Sequence, residues 1–279
     1  MLADAVSAFR AALGSRLVAG YALGSLAHGG FSPLVSDVDL GLVLQDPLRA
    51  SDRFTIHRIA RAVRAGGSVL HGRLSVFWGT PSTLQGGAGG GRFPPLDRLD
   101  LLEHGRLLTG REVRHGLPRP GKAELLIAGA EFALGHLGGA PTLPDRVLGW
   151  ARTGLRSENV VNEIRTPSLL VARGPRHMTK VVLFPVRFLF TAKTGEVGTN
   201  GVAAEHYLAS ARGPAARLVG AAAGWRLEAP ADDEATALLG LELIPLYVHY
   251  IDDHIARLRA VRNQRLAGSF HRWRARLLA

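Results

Sequence analysis

Two apolar runs, Leu17-Val18-Ala19-Gly20-Tyr21-Ala22-Leu23 and Val38-Asp39-Leu40-Gly41-Leu42-Val43-Leu44, constrain the fold most. Each has the length and make-up of a buried strand. The first stops at Gly24-Ser25, where a short helical turn starts. A strand ending that way presents free backbone N–H groups and a hydroxyl, which suit an anion such as phosphate. The second opens on Asp37-Val38-Asp39. In a strand, positions i and i+2 share a face, and two carboxylates side by side repel each other unless a cation lies between them. Hard oxygen ligands of this kind suit Mg²⁺, which takes its remaining ligands from water and substrate phosphates.

A phosphate cradle beside a metal-binding carboxylate pair supplies what nucleotidyl transfer needs, positioning of the triphosphate and neutralisation of developing charge. Gly24-Ser25, an eleven-residue spacer at 26–36 and then Asp37-Val38-Asp39 resemble the Gly-Ser…Asp-x-Asp signature of the DNA polymerase β-like nucleotidyltransferase superfamily. The resemblance implies that Asp37 and Asp39 are catalytic and hold Mg²⁺. It also implies that Gly24 and Ser25 hold the phosphates of ATP as co-substrate.

The 279 residues suffice for two domains with real cores, and 47% hydrophobic with 20% charged residues is the balance of a globular protein. No apolar segment approaches the ~20 residues that span a bilayer, and no basic leader with an apolar core opens the chain; we expect a cytoplasmic protein with no membrane partner. Zero cysteines exclude disulfides, thiolate metal sites and a cysteine nucleophile. The net charge of +11 gives weak support to a nucleic-acid partner, because every basic residue other than Lys122, Lys180 and Lys193 is an arginine in a chain rich in Ala and Gly. Oligomeric state is not legible.

Along the chain, residues 3–14 place Ala5, Val6, Phe9, Ala12 and Leu13 on one helical face. A second helix is predicted after Ser51-Asp52-Arg53, a strand at Leu74-Ser75-Val76-Phe77-Trp78, a flexible surface loop at 86–91, and a helix over 96–109 with Gly110 as C-cap. Gly116-Leu117-Pro118-Arg119-Pro120-Gly121 reads as a linker. Beyond it, helices are predicted at about 122–138, 143–155, 176–194, 200–211, 213–224 and 233–259. The fold class is therefore α+β: an N-terminal nucleotidyltransferase-type mixed β-sheet with flanking helices over 1–117, then an α-helical bundle over 118–279, which the resemblance implies clamps substrate and nucleotide. The arginines from Arg257 to Arg276 read as a solvated helix face, and His249, Asp252, Asp253 and His254 as a polar one.

The run from Lys180 through Arg187 and Thr194-Gly195 to Ala203-Ala204-Glu205-His206, with Tyr247-Val248-His249-Tyr250, resembles the C-terminal region of streptomycin/spectinomycin adenylyltransferases. By matching position the resemblance implies that Arg187 meets the triphosphate. Two departures stand out: Asn200 occupies the place of a family lysine, and Ser75 the place of a third carboxylate. A hydroxyl cannot deprotonate an attacking alcohol near neutral pH. Asp97, Asp100, Glu103, Glu124 and Glu131 are acids elsewhere in the chain, and His28 and His71 flank the motif, the histidines reading first as structural.

The expected function is transfer of AMP from Mg-ATP to a hydroxyl of a small polar acceptor, an aminoglycoside by resemblance. Two alternatives fit the same residues. One is a catalytically impaired relative that binds nucleotide without transferring it; the other is a nucleotidyltransferase acting on RNA or protein.

Overall fold

A computed structural model describes residues 1–86, 91–138, 157–210 and 214–279. The chain divides into two compact units, Met1–Pro120 and Gly121–Ala279, and the division falls within the Gly/Pro-rich stretch at 116–121.

The first unit opens with helix α1 (Leu2–Leu13), whose buried Ala5, Phe9 and Leu13 recur every four residues along one face. Strand β1 (Leu17–Leu23) follows, then a single helical turn α2 (Gly24–Ala27) and strand β2 (Val38–Leu44). Helix α3 (Ala50–Arg64), turn α4 (Val69–Gly72) and strand β3 (Leu74–Gly79) come next, then α5 (Pro81–Leu84), α6 (Pro95–His104) and strand β4 (Arg106–Gly110). The sheet order is β3-β2-β1-β4, with β1 antiparallel to both β2 and β4 and β2 parallel to β3, so the sheet is mixed.

Tyr21, Leu23 and Val43 pack with Leu84 of α5 and Leu101 of α6, and Phe77, Phe93 and Leu117 close over them. Leu40, Leu42 and Leu44 alternate with that set, point to the opposite face and are buried as well. Helix α3 is held at its start by Asp52, which accepts the Arg49 amide at 2.9 Å and the Arg16 guanidinium at 2.5 Å. The two arginine charges and these hydrogen bonds outweigh burial and keep the Asp52 carboxyl below its ordinary pKa.

The sequence spacing predicts one helix over 96–109; the chain instead leaves the helix at His104 and forms β4. Gly105 is the break, because a Cβ there would lie 2.5 Å from the Leu101 carbonyl oxygen. The unpaired edge of β1 then recruits Arg106–Gly110 by hydrogen bonding, a tertiary demand that outranks the leucine periodicity. Gly110 ends that strand at φ 83°, and a Cβ there would meet the Val18 carbonyl at 2.1 Å.

The second unit is helical throughout its described residues: α7 (Lys122–His136), α8 (Ser157–Arg165), α9 (Pro167–Val171), α10 (Pro175–Thr194), α11 (Asn200–Ala209), α12 (Ala216–Gly224), α13 (Asp232–Ala260) and α14 (Gln264–Leu278). The helix expected at 143–155 lies outside the described residues. The sequence spacing predicts neither α8 nor α9. The break at 261–263 is sealed by Asn263, whose side chain accepts the Leu266 amide as an N-cap.

Pro185 lies inside α10 and has no N–H for the Val181 carbonyl four residues before it. That buried carbonyl instead accepts the Tyr247 hydroxyl of α13 at 2.7 Å. Around it Phe188, Tyr250, Phe270 and Trp273 stack in edge-on and tilted pairs.

Candidate active site

The Gly-Ser pair opens α2 directly after β1. Gly24 has φ 58°, in the left-handed region, and an added Cβ would lie 2.5 Å from Asp39 Oδ2. Only glycine allows the backbone this close to that carboxylate. The register explains the approach, since Leu23 pairs with Asp39 across β1 and β2, so the end of one strand meets the head of the next. Asp37 stands two residues before Asp39 at the entry to β2, and both are half-buried. Ser25 is half-buried on the following turn.

On the other side, Asp39 pairs with Ser75 of the parallel neighbour β3. The position expected to carry a third acid is thus directly beside Asp39, and it carries a hydroxyl. From the sequence, Asp100 lies on a helical pattern with Asp97 and Glu103 and is no secure replacement for the third acid. Helix α6 brings Asp100, 8% exposed, to Gly24, whose amide donates to Asp100 Oδ2 at 2.5 Å. Gly24 is therefore bracketed by Asp39 and Asp100, and the interior position of Asp100 on an amphipathic helix was the available signal.

The carboxylate oxygens of Asp37 and Asp39 have the chemistry for Mg²⁺, and only a residue without a side chain fits at Gly24 beside Asp39 Oδ2. Among the described residues no group of three or more His, Asp or Glu side chains is gathered as a metal cluster.

A cation lies at the edge of β3. Arg92 exchanges both backbone hydrogen bonds with Trp78, donates Nη1 to the Val76 carbonyl at 2.9 Å and sits 5.2 Å above the Phe77 ring. Burial pulls its pKa below the ordinary arginine value, and the charges of Asp97 and Asp39 oppose that pull.

The His28 ring meets the His104 ring edge-on at 5.6 Å, while His71 is half-buried and shares a 2.7 Å hydrogen bond with Ser68. In the second unit, Arg187 donates to the Gly198 carbonyl and lies 5.9 Å from the Phe184 ring. Asn200 is the first residue of α11, capped by the Thr199 side chain. Asp252 pairs with Arg274 at 2.8 Å and Asp253 with Arg257 at 2.7 Å. His254 is 1% exposed between Tyr250 and Phe270, so the face read as polar is buried at that residue. The arginines read as solvated are partly tied down: besides these two pairs, Arg265 reaches Glu131, and Arg276 the Gly138 carbonyl.

A mixed four-stranded sheet with flanking helices, carrying Gly-Ser at the end of one strand and Asp-x-Asp at the head of its neighbour, followed by a helical unit, is a nucleotidyltransferase-like fold. No family model matches the chain, and no curated protein matches it in sequence. In fold it is similar to the crystal structure of spectinomycin adenyltransferase AAD(9) from Enterococcus faecialis with ATP and spectinomycin. The TM-score is 0.54 at 12% identity, over 87% of this chain and 98% of that one. Among the described residues no helix is long and apolar enough to cross a membrane.

Proposed function

We propose that this chain is a nucleotidyltransferase that moves AMP from Mg-ATP to a hydroxyl of a small polar acceptor. The observation that carries this reading is the packing of Gly24 against Asp39 at the junction of β1 and β2, within a nucleotidyltransferase-like fold. Gly24 contributes the absence of a side chain, Ser25 a hydroxyl for phosphate, and Asp37 and Asp39 the oxygens that hold Mg²⁺. Bound there, the ion neutralises charge on the triphosphate. The acceptor oxygen attacks the α-phosphorus, the bond to the β-phosphate oxygen breaks, pyrophosphate leaves and the acceptor proton passes to water. Arg187, brought in through the sequence resemblance, contacts the triphosphate, and the helical unit supports substrate and nucleotide. The solved neighbour's spectinomycin suggests an aminoglycoside acceptor.

Ser75 beside Asp39 favours a second reading, a protein that binds nucleotide and transfers it poorly or not at all. Incubation with ATP, Mg²⁺ and a panel of aminoglycosides, tRNA and protein acceptors separates the two. Acceptor-dependent pyrophosphate release with a small polar acceptor is expected. ATP binding with no release on any acceptor would establish the second reading, and release with tRNA or protein alone would move the acceptor to a macromolecule.

A further inference from the structure

Arg92 is the group at this site that the sequence motif does not mention. It is fixed on three sides, by the backbone pair with Trp78, the Val76 carbonyl and the Phe77 ring. A guanidinium carries five N–H donors in a rigid fork. Among the described residues, Val76 is the only recorded acceptor of an Arg92 side-chain hydrogen bond. The strand that anchors it is the one that places Ser75 next to Asp39. A carboxylate at position 75 would be a ready partner for the guanidinium. A hydroxyl is not, so the arginine's charge remains available to the acids around it and to an incoming anion.

We propose that Arg92 binds phosphate oxygens of the nucleotide directly, giving the site one built-in cation. This deepens the nucleotidyltransferase reading and rests on it. Arg92 offsets part of the negative charge that Asp37, Asp39, Asp97 and Asp100 bring to this end of the sheet, and so favours an incoming triphosphate. The planar fork matches a pair of phosphate oxygens, so the arginine supplies both charge and orientation.

The test measures ATP affinity of the full chain by calorimetry, with excess EDTA and with saturating Mg²⁺. The wild type should bind ATP in EDTA, and Arg92→Ala should weaken that binding about tenfold or more. Arg92→Lys, which keeps the charge and loses the fork, should fall between and remains informative if the alanine variant fails to fold. Unchanged metal-free affinity in both variants would reduce Arg92 to a support of the sheet edge and overturn the proposal while leaving the nucleotidyltransferase reading intact. Wild-type protein that binds no ATP, with or without Mg²⁺, would overturn both readings together.

Discussion

At the scale of single residues, Gly24 and His57 give the sharpest consequences. Gly24→Ala combines a left-handed φ of 58° with a Cβ 2.5 Å from Asp39 Oδ2. The backbone strain costs about 1–2 kcal/mol, and the carboxylate must move as well. ATP affinity should therefore fall about tenfold or more while the fold survives, as calorimetry and a thermal melt would register; unaltered affinity would detach this junction from nucleotide binding. His57 stacks edge-on against Trp78 at 5.1 Å. Burial there, with Arg92, Arg53 and Arg64 around it, lowers its pKa to about 4. The folded chain thus prefers neutral histidine while the unfolded chain takes up a proton near pH 6.5. Its contribution to stability is present in full above about pH 6.5 and is lost as pH falls through the window toward about 4. Urea midpoints at about pH 7 and about pH 5 should separate more for the wild type than for His57→Gln; equal separations would show that the histidine does not report on folding.

At the scale of elements, the central pairing is between α10 and α13. Tyr247→Phe removes the donor to the Val181 carbonyl that Pro185 leaves without a helical partner. An unsatisfied buried carbonyl costs about 1–3 kcal/mol. Adding Pro185→Ala to that variant restores an in-helix N–H and should recover part of the loss in a denaturant titration. A double variant no more stable than Tyr247→Phe alone would show that the carbonyl was not the source. The same scale shows what the sequence reveals. The apolar runs of β1 and β2 were readable because buried strands need continuous hydrophobic residues, and α1 because Ala5, Phe9 and Leu13 keep a helical period. β4 was not, since Leu107-Leu108 carry no period of their own and only the open edge of β1 makes them a strand. The site divides in the same way: Gly24, Ser25, Asp37 and Asp39 stand in a local pattern. Asp100 and Arg92 reach it from 76 and 68 positions beyond Gly24, through α6 and the rim of β3, and stand outside that local pattern.

At the scale of the whole molecule, the chain carries a net charge of +11. In the second unit Arg257, Arg265 and Arg274 each pair with an acid of the same unit. The fold joins a strand-end cradle and a carboxylate pair in one unit to a helical second unit, the division of parts that nucleotidyl transfer uses. The most direct measurement is the rate of acceptor-dependent pyrophosphate release from Mg-ATP, compared between the wild type and Asp39→Asn at matched thermal stability. The amide keeps the shape of the carboxylate and loses its charge, so the account predicts a loss of at least about 100-fold. An Asp39→Asn variant that releases pyrophosphate at the wild-type rate would contradict it.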